Sequence, residues 1–187
     1  MQLHHDRGRA RDKADPWANL CVVSTVDANQ IPQSRVVVLR DIAAQLAIFI
    51  NGTSPKHAEF AHATHQAVLV YLASIGVQYR LRVTLDPVPP ETVAASWLER
   101  PRIPKLLDHL YEQGAPQSSR VARDVFMARF AALDAQLPAD VTAPAQALGY
   151  YLAPAEVERL ELAGDRPHMR IHYQRTTSGW HATTLIP

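Results

Sequence analysis

Arginine outnumbers lysine sixteen to three in this chain of 187 residues, and several of the arginines fall inside runs that are otherwise apolar. A guanidinium is costly to bury without a partner, and its planar fork of donors suits carboxylate and phosphate oxygens. Arg35 and Arg40 stand at the two ends of Arg35-Val36-Val37-Val38-Leu39-Arg40. In a regular strand those two positions point to opposite faces, so a single ligand reaches both only around the strand end or at a bulge. Arg166, His168 and Arg170 are spaced by two, which puts all three on one face if Pro167 sits at the start of a strand. Two guanidiniums flanking an imidazole repel one another unless an anion lies against them, so the chemistry of such a row is anion binding. The same spacing also suits an exposed edge strand whose charges discourage pairing with other chains.

Other chemistries lack their patterns. The seven glycines form neither a G-x-G-x-x-G nor a Walker sequence, which excludes a glycine loop cradling phosphate, and there is no G-x-S-x-G elbow. Of His57, His62 and His65 only the last two share a helical face, and neighbouring Glu59 completes no ligand set, so no metal site is expected. Cys21, flanked by Leu20 and Val22, reads as inert packing in a buried strand. Nineteen Lys and Arg against eighteen Asp and Glu give a formal charge of +1, too little to recommend nucleic acid or an anionic membrane as partner. Any anion site must therefore be local. Apolar runs such as Ala67 to Ala73 fall far short of the ~20 residues of a membrane helix, and the first residues hold no signal-like apolar segment, so a soluble, cytoplasmic protein is expected.

Apolar residues at 47% and charged residues at 20% are those of one globular domain. Residues 1–15, charged and with little to bury, read as a mobile arm preceding a single domain over 16–187. Strand signals cover Leu20 to Val26, Gln33 to Arg40, Gln45 to Ile50, Gln66 to Ser74 and Val77 to Asp86. They return in Leu148 to Leu152, Val157 to Leu162, Met169 to Arg175 and Trp180 to Ile186. In the fifth of these, Val77, Tyr79, Leu81 and Val83 share one face and Gln78, Arg80 and Arg82 the other. Helices are expected from Lys56 to Ala63 with Ser54 as cap, in two pieces between Pro89 and Leu110, and from about Arg120 to Leu137 behind Ser118-Ser119. Strands outnumber helices and follow one another through tight turns. A mainly β, antiparallel closed barrel with flanking helices fits this order better than any βαβ scheme.

Taken together, several segments resemble the pyridoxamine 5′-phosphate oxidase family of FMN-binding split β-barrels. They are Arg35 to Arg40; Phe49-Ile50-Asn51 to Ser54-Pro55-Lys56; Gln78; Arg100-Pro101-Arg102; Gln117-Ser118-Ser119-Arg120; Arg166-Pro167-His168-Met169-Arg170; and the ending Trp180 to Pro187. The resemblance implies a homodimer with its sites at the subunit interface, a phosphorylated small-molecule substrate, and no metal, nucleic-acid or membrane partner. It implies that Arg35 and Lys56 hold the FMN phosphate. Val36, Val38, Leu39, Arg40, Phe49 and Ile50 would contact the cofactor, Gln78 would meet the flavin's polar edge, and Arg170 would lie near the isoalloxazine. Gln117 and Ser118 would donate from the partner subunit.

For the substrate the resemblance implies Arg40, Ser96 and Arg100 toward a phosphate and Arg166 and His168, the catalytic pair, over the ring. The implied reaction is hydride transfer to flavin N5 followed by reoxidation with O₂. The chain departs from the family pattern where Ser96 and Pro104 replace two phosphate donors, and again at Arg40, Ile50, Pro55 and Leu160. Those departures leave two alternatives beside the pyridoxamine or pyridoxine 5′-phosphate oxidase: a flavoenzyme of the same barrel with another substrate, or a non-catalytic flavin-binding or structural dimer.

Overall fold

Alternating burial sets the framework of the protein. The structure is a computed structural model and describes residues 2–114 and 116–187. It contains eight strands, β1 (Leu20–Val26), β2 (Pro32–Ile42), β3 (Gln45–Asn51), β4 (Gln66–Leu72), β5 (Val77–Pro87), β6 (Ala147–Glu161), β7 (Met169–Thr176) and β8 (Gly179–Leu185). The helices are α1 (Gln2–Asp12), α2 (Pro55–Glu59), α3 (Pro90–Leu98), α4 (Arg102–Glu112) and α5 (Arg123–Gln136). Every other residue of β1, β4 and β5 is buried, including Cys21 and Val23, Val68 and Val70, and Val77, Tyr79, Leu81 and Val83. Period-two alternation is what one buried sheet face requires. Burial pushes the Cys21 thiol up to about 12, which leaves it unreactive in the core.

The strands are antiparallel neighbours in the order β3-β2-β1-β4-β5-β6-β7-β8. A further pairing of β3 with the start of β6 closes the first six into a barrel, while β7 and β8 extend from the end of β6. The result is a closed antiparallel β-barrel flanked by helices, with split-barrel topology. β6 is one strand where the sequence suggests two. The reason is a bulge: Arg82 pairs with Glu156 and Val83 with Pro154, so Ala155 has no opposite residue and the proline, which has no N–H to give, is tolerated. The expected helix caps also differ, because α5 starts behind Ala122 with no side-chain cap and Ser54 precedes α2 without a capping hydrogen bond. Among the described residues no helix is long and apolar enough to cross a membrane.

The expectation of a mobile arm over residues 1–15 is overturned, Met1 lying outside the described residues. Residues 2–12 form α1, with Leu3, Asp6, Arg7 and Ala10 buried on one face. The helix is held by charge as much as by apolar surface, which hides it from a hydrophobic pattern. Arg7, fully buried, donates to the carbonyls of Ala18 and Leu39 at 2.8 and 2.9 Å and pairs with Asp41 at 2.6 Å. Asp6, also fully buried, accepts from the Tyr79 hydroxyl at 2.6 Å and from Arg159 Nε at 3.0 Å. The helix stops at Ala14 in a left-handed conformation, and Asp15 then accepts from the backbone N–H groups of Trp17 and Ser74.

Burial alone would raise the Asp6 carboxyl, but the hydrogen bond from Tyr79 and the hydrogen bond and charge of Arg159 outweigh it and hold the group below its ordinary value. A carboxyl lowered in the folded state adds stability above its unfolded value, near 3.9, and loses it as pH falls through the folded one. Asp6→Asn should therefore lower unfolding free energy by about 1–3 kcal/mol at pH 7, because Arg159 keeps its pair with Glu161 but its Nε loses a buried carboxylate. The deficit should begin to shrink below about pH 4, where the carboxyl of the unfolded chain takes up a proton, and vanish as pH falls through the lower folded value, as read by urea unfolding at a series of pH values.

Candidate functional site

A groove of about 1000 Å³ runs along β2, walled by Ser34 to Val38 and Arg40 on one side and by α2, α4 and the 117–118 turn on the other. Arg35 and Arg40 project to opposite faces of β2, as strand geometry demands, and each anchors one end of the groove. At the first end Arg35 donates to Thr25 Oγ1 at 2.5 Å and pairs with Glu59 at 2.6 Å, and Thr25 also hydrogen-bonds Glu59. Lys56 stands beside them on α2, placed by the Ser54-Pro55 start of that helix. Its ammonium donates to Gln117 Oε1 at 3.3 Å and, among the described residues, makes no ion pair. Burial first, and then the nearby Arg35 charge, lower the Lys56 pKa. Ser118 follows with a left-handed φ of 74°, a conformation unusual outside glycine.

At the second end Arg40 donates to Ser96 at 3.2 Å, pairs with Glu99 at 3.0 Å and lies 5.8 Å above the Phe49 ring. Phe49 is set by its pairing with Gly149, where an added Cβ would come within 2.9 Å of the ring. Arg100 pairs with Asp108 at 2.8 Å, lies 5.8 Å from the Trp97 ring and keeps a buried Nε without a partner among the described residues. Asp108 is only 4% exposed, and Asn51 Nδ2 donates to its carbonyl and its carboxylate at 3.3 and 3.4 Å. Burial raises the Asp108 carboxyl above its ordinary value against the pull of Arg100 and the Asn51 hydrogen bond.

Of the residues expected from the sequence, Arg35, Val36, Val38, Arg40, Phe49, Ile50, Lys56, Arg100, Gln117 and Ser118 line this groove. Gln117 and Ser118 do so on the same chain as Lys56. Leu39 lies in the barrel core, 1% exposed, and Ser96 lines a smaller pocket adjoining the groove at Arg40. Gln78, Leu160 and Arg170 are brought together elsewhere, as directly paired positions across β5, β6 and β7. Arg166 and His168 precede β7 in a loop and are not in a strand row with Arg170. Each of the three has its own partner: Arg166 pairs with Glu161 at 2.5 Å, His168 Nδ1 accepts from the Ala163 N–H at 3.1 Å, and Arg170 pairs with Glu158 at 2.8 Å. The self-repulsion of a cationic row is thus relieved by neighbouring carboxylates.

Sequence reasoning missed Glu59, Glu99 and Asp108, the acids that face the groove's arginines. The available signal was weak. Glu59 lies three residues after Lys56, and Asp108 interrupts the leucines of α4 at a position that the helix turns inward.

No family model matches the chain. A pyridoxine/pyridoxamine 5′-phosphate oxidase of Nocardioides sp. is 30% identical over 181 residues, covering 96% of this chain and 84% of that protein. One from Caulobacter vibrioides is 30% identical over 178 residues, covering 95% and 78%. Among solved structures, PhzG from Burkholderia lata in complex with tetrahydrophenazine-1-carboxylic acid superposes with a TM-score of 0.86 at 22% identity, covering 100% of this chain and 91% of that one. A pyridoxamine 5′-phosphate oxidase-related, FMN-binding protein from Nostoc punctiforme gives 0.80 at 20% identity, covering 100% and 95%. With that identity over nearly its whole length, a closed split barrel and a groove lined by cations, the chain belongs to the pyridoxine/pyridoxamine 5′-phosphate oxidase family of flavin-binding oxidoreductases.

Proposed function

We propose that the groove along β2 binds FMN and that the protein, as a homodimer, oxidises a small anionic substrate held toward Arg40 and Arg100. The observation that carries this reading is Lys56: a half-buried ammonium beside the Arg35 guanidinium, with an amide oxygen for a partner and, among the described residues, no carboxylate within ion-pair distance. Two adjacent cations facing one acid suit a phosphate ester, whose oxygens accept from both an ammonium and a guanidinium fork. Ser54, whose buried hydroxyl has no partner among the described residues, directly precedes Pro55 and Lys56 on the groove wall. Val36 and Val38, about half exposed along the groove, offer an apolar strip for a flat ring. The residues present therefore fit FMN.

Arg35 and Lys56 would fix the phosphate, Gln117 and Ser118 would add neutral donors, and the β2 strip would orient the ring. When bound, FMN supplies a hydride acceptor that O₂ reoxidises to give peroxide. The chain's own part is position and charge. Gln78, Leu160 and Arg170 lie outside the groove of their own chain, as do Arg166 and His168. In the homodimer the partner's β5-β6-β7 face closes the groove and brings Arg166 and His168 over the substrate ring. Oxidation of pyridoxine or pyridoxamine 5′-phosphate, the activity after which the relatives are named, needs a second phosphate seat at Arg40 and Arg100.

Protein purified with FMN should show a bound-flavin spectrum, and a preparation that takes up none would reject the proposal. Arg35→Ala and Lys56→Ala should each weaken FMN binding about 10- to 100-fold, the worth of one charge-assisted hydrogen bond, as read by flavin fluorescence titration. Glu59→Gln should act in the opposite sense. Removing its charge tightens FMN while costing about 1–3 kcal/mol of folding stability through the weakened Arg35 and Thr25 contacts.

Subunit mixing tests the shared site. A groove variant, Arg35→Ala with Lys56→Ala, co-expressed with Arg170→Glu should recover about a quarter of the wild-type flavin per chain, since half of randomly paired dimers are mixed and each holds one intact site. A site built within one chain would recover none.

A further inference from the structure

We propose that Thr53 is a positioning residue for the phosphate seat, its hydroxyl holding Gln117 against Lys56. The inference rests on the reading of that end of the groove as the place of the FMN phosphate, and it names what assembles the seat. The described lining of the groove includes Asn51, Lys56, Gln117 and Ser118 but not Thr53, so Thr53 acts through another residue.

Two stretches that the fold supplies separately meet at this seat. Lys56 comes from the start of α2, just after β3, whereas Gln117 and Ser118 belong to the connector between α4 and α5, which is neither helix nor strand from Pro116 to Ala122. Among the described residues, the hydrogen bonds that tie this connector to the β3–α2 side both end on Gln117. Its main-chain N–H donates to Thr53 Oγ1 at 3.2 Å, and its Oε1 accepts from Lys56 Nζ at 3.3 Å. The first bond fixes where the backbone runs and the second turns the side chain. An amide whose oxygen accepts from Lys56 has its NH2 left to donate to a phosphate oxygen.

Thr53 serves as a fixed acceptor because Asn51 sets the direction of its hydroxyl. β3 ends at Asn51, and the Ser54 N–H closes the following turn on the Asn51 carbonyl at 3.1 Å. Within that turn Asn51 Oδ1 accepts from the Thr53 N–H at 2.9 Å and from the Thr53 hydroxyl at 2.7 Å. Asn51 Nδ2 gives its two protons to Asp108, one to the carbonyl at 3.3 Å and one to the carboxylate at 3.4 Å. All four hydrogen-bonding positions of the amide are used and Asn51 is buried, so it cannot turn over without breaking them. With its proton committed to Asn51, the Thr53 oxygen presents a lone pair to the Gln117 N–H.

Thr53→Val keeps the branched shape and the main-chain N–H that Asn51 holds, and removes only the hydroxyl. It should weaken FMN binding about three- to tenfold in a flavin fluorescence titration, the worth of one neutral hydrogen bond. Thr53→Ala, which lacks the hydroxyl and puts no methyl in its stead, should do the same. Thr53→Ser retains the hydroxyl and should stay within about twofold of wild type. In a Gln117→Ala background, Thr53→Val should change FMN affinity by less than about twofold, because the group it positions is gone. A general loosening of the turn would weaken FMN equally in both backgrounds. Hydrogen exchange read by NMR needs no flavin: the Gln117 amide should exchange about tenfold faster in Thr53→Val than in wild type or Thr53→Ser.

Thr53→Val and Thr53→Ala proteins that bind FMN as wild type does, a Thr53→Ser protein as weak as they are, an effect undiminished without the Gln117 side chain, or a Gln117 amide that exchanges alike in all of them would overturn the proposal. The flavin reading fails separately, by absence of a bound-flavin spectrum in wild type. The exchange rates then still decide whether Thr53 holds Gln117.

Discussion

β6 has to satisfy three neighbours, and the shape of the molecule follows from how its fifteen residues divide among them. Ala147 to Tyr151 bond β3 and close the barrel, while Glu156 to Glu161 turn to β7 and open it. β5 follows β6 from Tyr150 to Glu161, across the bulge that accommodates Pro154. Backbone donors and acceptors must be paired wherever water is excluded, so a strand that outruns one neighbour needs another. The barrel thus splits along β6. The groove of β2, α2 and α4 comes to lie apart from the Gln78-Leu160-Arg170 row. Both clusters are mounted on rigid strands, the arrangement that keeps a binding geometry within tight limits.

Charge within the sheet obeys a companion rule. Arg80 and Arg170 both meet Glu158, and Arg82 meets Glu156, which His172 also approaches at 3.6 Å. Arg80, Arg82 and Arg170 each have an acid on the neighbouring strand, and such cross-strand pairs reduce the cost of placing charge on a half-buried face. Lys56 differs from them, a half-buried cation whose partner is the Gln117 side-chain amide. It lies in a groove and not in the sheet, which is why it reads as part of a binding site.

The strands were largely legible because their signal is local. β1 and β5 alternate so regularly that their limits follow from the residue types alone, and Gln45, Gln66, Val77 and Met169 open strands as expected. α1 was not legible, because Asp6 and Arg7 look like solvent-facing charges until Arg159 and Asp41, far away in the chain, are seen to pair with them. The groove was legible residue by residue through family resemblance, but its electrostatics were not. Glu59, Glu99 and Asp108 carry no motif, and whether an acid neutralises a nearby arginine or faces water depends on tertiary contacts. Arg166 and His168 show the reverse error: spacing by two implies a common face only inside a strand, and the strand begins one residue after His168.

Kinship with phosphate oxidases constrains the two ends of the groove unequally. The end formed by Arg35, Lys56 and Gln117 sets two cations against Glu59, the balance on which the proposed seat for a cofactor phosphate rests. The proposed reaction imposes no similar demand on the far end, because the hydride would leave the substrate carbon that bears the amine or hydroxyl and a group held at Arg40 and Arg100 would only orient it. That end is free to change its acids, and here it holds one that is mobile, Glu99, and one that is fixed by burial, Asp108. Specificity is a difference between two affinities, and it is set by repulsion as well as by attraction. The arginines themselves suit phosphate and carboxylate alike, so the acids that oppose them, Glu59 at one end and Glu99 and Asp108 at the other, are where discrimination between anions can arise.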